Sequence, residues 1–282
     1  MNKPIMITTD STADLSPELI SRYNFKVIPL TIRLGDDSFY DDGRFTPEDI
    51  YERYHADGTL PQTASPSIEE FQTFFGGFVN DGYAVVHMDI SCELSNTYNA
   101  ARLAADEMED VYVIDTRQLS TGMALLAIEA AECRERGMDA AAIAAHIEEI
   151  KEKVCTTFVL DTLEFMWKGG RCSGVTAFGA NLLKIKPCLE MHDGKLEVTK
   201  KYRGKIESVY KKYIREMLAG KKIRPGHIFM TEAGEIEPAV MEELMALIGE
   251  LSGCREVHHT HTGCTVTSHC GPKTMGVLFI EE

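Results

Sequence analysis

The sequence predicts an α/β protein, with an N-terminal, mostly parallel α/β sandwich domain over residues 1–154 and a C-terminal α+β domain with antiparallel pairing over residues 155–282. Three observations predict it. In the first half, short apolar strand-like runs alternate with helical patterns, which requires a parallel sheet with helices on both faces. In the second half, two extended runs flank His192-Asp193-Gly194, and Asp-Gly is a strong two-residue hairpin signal. Hydrophobic residues make up 44% of the 282 positions, enough for a substantial core.

The elements follow in order. Residues 5–9 read as a strand, closed by the turn Asp10-Ser11-Thr12-Ala13-Asp14. Ser16-Pro17 starts a short helix with proline at its first position. Residues 26–34 read as a second strand. Thr46-Pro47-Glu48-Asp49 opens another helix with cap and proline in the favoured order. Ser67 and Glu70 form an S-x-x-E capping box, so a helix starts there. The turn before it presents Thr63 and Ser65 at the positive end of a helix dipole, a seat suited to an anion. Residues 85–90 and 111–115 read as short buried strands, each leading into a helix. Between them lies a second hydroxyl-rich turn, Ser91-Cys92-Glu93-Leu94-Ser95-Asn96-Thr97.

A helix over about residues 119–136 stops at Gly137, and Asp139 caps the next. In the second half, strands are expected near residues 156–160, 187–191, 195–200, 255–260 and 275–280. Helices are expected over 163–168, 205–218 and 238–251. Thr267-Ser268-His269-Cys270-Gly271-Pro272 reads as a turn before the last strand. Ligand crevices in parallel sheets lie at the carboxyl ends of the strands, an edge that Thr63, Ser91 and Ser95 can reach.

Composition narrows the function. A net charge of -15 disfavours a nucleic-acid backbone or an anionic membrane surface as main partner. No apolar run approaches the ~18 residues that span a bilayer, and no secretory signal opens the chain, so a cytoplasmic location without stable membrane insertion is expected. Eight scattered cysteines without a C-x-x-C pair suggest free thiols.

Five groups of residues come into question for chemistry. Lys168-Gly169-Gly170-Arg171-Cys172-Ser173-Gly174 is glycine-rich and basic, and Arg171 suits a carboxylate or phosphate, although the run is not a phosphate loop. His269, in a turn fixed by glycine and proline, can donate to a carboxylate head group or relay a proton. His258-His259-Thr260-His261 invites a metal reading, but its spacing matches no standard zinc site. On a strand, His259 and His261 share one face and His258 the other. No metal or other cofactor is therefore expected. Ser91 or Ser95 with His269 could hydrolyse an acyl ester, but the G-x-S-x-G elbow is absent. Asp10, Asp14 and Asp115 lie near strand ends, where capping and turn formation account for them.

The ordered set of motifs resembles the DegV family of bacterial fatty-acid-binding proteins. It runs from Thr9-Asp10-Ser11-Thr12-Ala13-Asp14-Leu15 through Ile28-Pro29-Leu30, Thr63-Ala64-Ser65-Pro66-Ser67 and Ile90-Ser91. It continues with Leu94-Ser95-Asn96-Thr97-Tyr98, Val113-Ile114-Asp115-Thr116 and Lys168-Gly169-Gly170-Arg171. It closes with Asn181-Leu182-Leu183-Lys184-Ile185-Lys186-Pro187 and His269-Cys270-Gly271-Pro272. The resemblance implies a two-domain, noncatalytic lipid-binding protein holding one long-chain fatty acid, such as palmitate, between its domains. It further implies presentation of the carboxylate to a separate ATP-dependent fatty acid kinase subunit, in phospholipid metabolism. The family's carboxylate contacts fall on Thr63 and Ser95, with His269 near the head group and Arg171 in the same region; Ser91 joins them from the hydroxyl-rich turn. The alternative is a hydrolase or transferase acting on an acyl ester, with His269 as acid/base. The chain departs from the family pattern at Ala64, Cys92, Asn96 and Lys273. Ala64 removes one possible donor, which leaves head-group geometry to Thr63 and backbone N–H groups.

Overall fold

The computed structural model describes residues 3–171 and 185–282. In chain order the elements begin with β1 (Ile5–Asp10), α1 (Pro17–Tyr23), β2 (Lys26–Ile28), β3 (Thr31–Leu34), β4 (Asp37–Tyr40), α2 (Pro47–Asp57) and β5 (Gln62–Ala64). Next come α3 (Ile68–Asn80), β6 (Ala84–Asp89), α4 (Thr97–Ala105), β7 (Val111–Asp115), α5 (Thr121–Glu135), α6 (Ala140–Ile150), β8 (Val154–Val159) and α7 (Glu164–Gly169). The chain ends with β9 (Lys186–His192), β10 (Lys195–Tyr202), α8 (Ile206–Leu218), β11 (Ile223–Glu232), α9 (Pro238–Ser252), β12 (Glu256–His261), α10 (Cys264–Cys270) and β13 (Met275–Glu281).

The strands form three sheets. A parallel sheet has the order β2-β1-β6-β7. A six-stranded sheet, β10-β9-β8-β13-β11-β12, is antiparallel except where β11 and β12 run parallel. A small antiparallel sheet, β4-β3-β5, completes the set. The mixed α/β class is as the sequence predicts. Every strand of the six-stranded sheet comes from Val154 onward, and the parallel sheet uses only strands ending by Asp115.

Alternation explains how the parallel sheet is covered. On β6, Val86 and Met88 point into a core with α5 and α6, while Val85 points to the other face, against Phe71, Phe75 and Ala101 of α3 and α4. Helix α5 is buried on every face from Thr121 to Ala131, with its charged residues confined to its last two turns. It packs on the parallel sheet and also touches Phe229, Leu278 and Ile280 of the six-stranded sheet, so one core joins the two sheets. The opposite face of the six-stranded sheet is closed by α8 and α9 through Tyr210, Tyr213, Leu244 and Ile248.

Caps sit where the sequence places them. The hydroxyls of Ser16, Thr46 and Ser67 and the carboxylate of Asp139 each accept the N–H three residues on. Asp193 and Gly194 both have positive φ, the two-residue geometry that matches the twist of the β9–β10 hairpin. Three expectations need correction. The single strand over residues 26–34 is two strands in different sheets. Pro29, without an N–H, separates β2 from β3 and lets the chain change sheets. The segment around His269 is a helix, α10, and not a turn; only Gly271, at φ +74, turns the chain toward β13. Thr63 lies in β5, and not in a turn before α3. The Cys172-Ser173-Gly174 part of the basic motif and Asn181 to Lys184 of the later one lie outside the described residues.

Candidate functional site

The site is built around α10, a helix with no cap of its own. Gly263 precedes it and offers no side-chain acceptor. Asp41 takes its place from far away in sequence, accepting the N–H groups of Cys264 at 2.8 Å and Thr265 at 3.0 Å, while Asp14 accepts that of Gly263 at 2.7 Å. These carboxylates also meet the positive end of the helix. Asp14 further accepts the Ser120 hydroxyl, and burial pushes its pKa well above the usual carboxylate range. Asp10 accepts the N–H groups of Thr12 and Ile90, and Asp115 those of Cys92 and Arg117. Burial and the nearby Asp89 charge raise Asp10 to about 7. All three acids are thus occupied in shaping loops at the strand ends.

Fixed in this way, α10 sets His269 against β5. Register places Thr63 opposite Ile32, on the buried side of the small sheet, and Thr63 Oγ1 lies 2.9 Å from His269 Nε2. Ala64 pairs with Thr31 and by alternation points to the opposite face, so a donor there would turn away from Thr63. Gly169 lies on the other side of the imidazole, where any Cβ would overlap His269 Nδ1. That nitrogen is buried and has no hydrogen-bond partner among the described residues. Burial first, and then the Arg171 guanidinium, lower the His269 pKa to about 4, so the ring is neutral at pH 7. Arg171 is exposed and folds back to donate to the Gly169 carbonyl at 2.6 Å.

Ser95 stands at the amino end of α4. Its hydroxyl lies 2.7 Å from Thr97 Oγ1 and accepts the Thr97 N–H at 3.3 Å. Asn96 has φ -82, a conformation open to any residue, so glycine is not required there. The S-x-x-E box is formed, but Glu70 itself takes the Ser67 N–H at 2.7 Å, so the start of α3 already has its anion.

Thr63, Ser95, Arg171 and His269 line one apolar cavity of about 60 Å³. Its walls include Leu30, Ile90, Leu94, Phe158, Met166 and Leu196, which come from both halves of the chain. A second apolar cavity of about 30 Å³ adjoins it, and the two share Leu119, Phe158, Val266 and Cys270. Ser91 is the one residue of the expected set placed elsewhere. Fully buried, its hydroxyl donates to the Gly194 carbonyl at 2.7 Å, pinning the β9–β10 hairpin to the loop after β6. The wall residues escaped sequence reasoning because each looks like an ordinary core position; only their convergence from two loops, β8, α7 and β10 marks them. The histidines of β12 obey the predicted alternation: His259 and His261 lie beside Glu232, and His258 lies beside His227 and Glu256.

A mixed α/β protein with an apolar cavity lined from both halves of the chain, and with hydroxyl, imidazole and guanidinium groups among its lining, has the concave, mostly apolar kind of site that small molecules occupy. The DegV family model matches residues 4–282, and the chain belongs to that family. It is 32% identical to a protein of Thermotoga maritima named fatty acid-binding protein, with 96% of each chain covered. It is 31% identical to a DegV domain-containing protein of Clostridium perfringens, with 99% of each covered. Among solved structures, a DegV family protein from Thermus thermophilus, described by its fatty acid binding, superposes with a TM-score of 0.88 at 28% identity over the whole of both chains. A DegV lipid-binding protein from Thermotoga maritima gives 0.86 at 28% identity over 98% of both. The described residues contain no helix long and apolar enough to cross a membrane.

Proposed function

We propose that this chain binds one long-chain fatty acid, tail in the apolar chamber and carboxylate at Thr63 and Ser95, and presents the carboxylate to a separate ATP-dependent kinase in the cytoplasm. The observation that carries the reading is the Thr63–His269 hydrogen bond in the lining of a mostly apolar chamber. A neutral His269 donating from Nε2 occupies an acceptor position of the Thr63 hydroxyl and leaves its proton for the ligand. Ser95 and Arg171 supply further donors for the same anion, the guanidinium with a bidentate face. The names of relatives that bind fatty acids or lipids support the reading.

The energetics divide the labour. A tail of about 14 methylenes contributes roughly 11 kcal/mol gross at about 0.8 kcal/mol each. Association costs about 4–15 kcal/mol. Each hydrogen bond to a charged head contributes about 1.5–3 kcal/mol. The tail therefore supplies most of the affinity, and Thr63, Ser95 and His269 decide which end faces out. For acyl-phosphate formation, a carboxylate oxygen attacks the γ-phosphorus of ATP, the bond from that phosphorus to the bridging oxygen breaks, and ADP leaves. The chain supplies an oriented nucleophile and the kinase supplies the rest. Trp167, exposed on α7 beside Gly169, gives a partner an aromatic surface near the mouth.

Native mass spectrometry of the purified chain tests the binding. A retained mass in the C14–C18 fatty acid range is expected, and a ligand-free chain that also ignores added palmitate would overturn the reading. Thr63→Ala should weaken kinase-dependent acyl-phosphate formation at least tenfold while changing fluorescent fatty acid binding only a few-fold. An equal loss of both would count against the division of labour.

A further inference from the structure

We propose that Glu232, His259 and His261 form a binding site for one zinc ion, on the edge of the six-stranded sheet and separate from the lipid chamber. Topology creates the site. Strands β11 and β12 run parallel with Glu232 opposite His261 and Met230 opposite His259. Residues opposite each other share a face, as do residues two apart on one strand, so the carboxylate and both imidazoles project from the same side at the strand ends. Glu232 Oε1, His259 Nε2 and His261 Nδ1 all lie within 4.8 Å of one another.

The distances suit a metal. Zinc–nitrogen and zinc–oxygen bonds of about 2.0–2.1 Å in tetrahedral geometry put neighbouring ligand atoms about 3.3 Å apart. Glu232 Oε1 is 3.5 Å from His259 Nε2. His261 Nδ1 already touches the same oxygen, and its exposed side chain is free to draw back and admit an ion between them.

The second shell is also in place. Glu232 is 1% exposed, and its other oxygen, Oε2, accepts the Gly234 N–H at 2.5 Å, which aims Oε1 at the histidines. Glu232 Oε1 and His259 Nε2 are both buried, and His259 Nε2 reaches no acceptor closer than that oxygen at 3.5 Å. Around the one carboxylate oxygen the two imidazoles converge, and an ion shared among the three would satisfy them together.

The surroundings favour a cation. His261 borders a basin of about 400 Å³ also lined by Asp41 and Asp42, which gives a positive ion an acidic approach. The two other histidine-containing clusters among the described residues already hold a guanidinium. Arg22 grips Glu256 with two bonds, at 2.7 and 3.0 Å, and Glu129 is paired with Arg136 and Arg224. Two imidazoles and one carboxylate, with the exposed His261 side left to solvent, are a donor set that zinc accepts with a water as fourth ligand.

The test is calorimetric titration of the full chain, prepared without a histidine tag, with zinc chloride. The expected result is saturable binding of one zinc per chain, weakened at least a hundredfold in His261→Ala and unchanged in His258→Ala. His261 is exposed, so its replacement leaves the fold intact, and a circular dichroism melt of the metal-free variants confirms it. His259→Ala should repeat the loss. Absence of one-to-one binding, equal affinity in His261→Ala, or loss in His258→Ala instead would each overturn the assignment.

Discussion

His269 and the His259–His261 pair are the same side chain in opposite settings. His269 meets a hydroxyl on one nitrogen, a glycine backbone on the other and a guanidinium nearby. His259 and His261 meet a buried carboxylate, and the described ion pairs bring that carboxylate no lysine or arginine. The first setting holds imidazole neutral as a hydrogen-bonding strut. The second gathers negative charge and lone pairs around a point that a cation can fill. Neither property belongs to histidine; each belongs to what the neighbouring strand or helix brings up to it.

The most damaging way to break this contrast is Asp41→Ala. Asp41 serves two N–H groups at the start of α10 and accepts the Ser11 hydroxyl at 3.1 Å. Leaving buried donors unpaired costs about 1–3 kcal/mol each, so a loss of about 4 kcal/mol in urea unfolding is expected. Palmitate affinity should fall with it, because α10 carries His269, while the pairing of β11 with β12 stays intact.

The next effect is on pH dependence. His269 has a pKa of about 4 in the folded chain against an ordinary 6.5. As pH falls below 6.5 the unfolded chain takes up a proton that the folded chain refuses. Stability therefore drops between pH 6.5 and 4 and levels off below that. The interval, at about 1.4 kcal/mol per pH unit, corresponds to about 3 kcal/mol. His269→Gln keeps an N–H donor near Thr63 and removes this titration. Chemical unfolding at pH 7 and pH 4 should show the variant gaining about 3 kcal/mol relative to the parent between the two. Parallel pH curves would mean that His269 is protonated in place.

These two residues also show which parts of the molecule can be read from sequence. The helices at Pro17, Pro47, Ile68 and Ala140 announce themselves because each cap lies three residues from the N–H it serves. Helix α10 is capped by Asp41, 223 positions from Cys264, so no local signal exists and its residues read as a turn. Thr63 and His269 carry recognisable motifs, but their hydrogen bond spans 206 positions, and only the fold reveals it. The β4-β3-β5 sheet was missed for a related reason: its strands have only three or four residues, too few for a period to show. Spacing could not pair the histidines with their carboxylate either: His259 and His261 lie on one strand and Glu232 on its neighbour, a juxtaposition that no motif along the chain can encode.

A gentler way to sharpen the contrast is Gly169→Ala. The helix end there has ordinary room for a side chain except for the imidazole, where the new Cβ would overlap His269 Nδ1. Overpacking of this kind costs about 1–3 kcal/mol. The ring should relieve it by tilting away from Thr63. Palmitate titration is expected to show a loss of several-fold or more, with about 2 kcal/mol of stability lost. Zinc affinity should not change, since α7 does not reach β12. A variant that binds palmitate like the parent would show that the position of the ring does not matter to the ligand.

The smallest expected effect lies in the loop between α10 and β13. Lys273 stands at φ +58, in the left-handed region. A side chain there costs about 1–2 kcal/mol, because Cβ crowds the following carbonyl. The conformation is held from both sides, by the Lys273 N–H donating to the Gly234 carbonyl at 3.0 Å and by Tyr210 donating to the Lys273 carbonyl at 2.7 Å. Glycine fits this conformation freely but adds entropy to the unfolded chain, which offsets part of the gain. Lys273→Gly should therefore raise stability by about 0.5–1 kcal/mol, seen as a later urea midpoint with an unchanged slope. Gly234 also follows the proposed zinc ligand Glu232 by two residues and orients its carboxylate. If Lys273→Gly alters zinc affinity as well as stability, the loop before β13 couples the two histidine sites; if stability alone changes, they act independently.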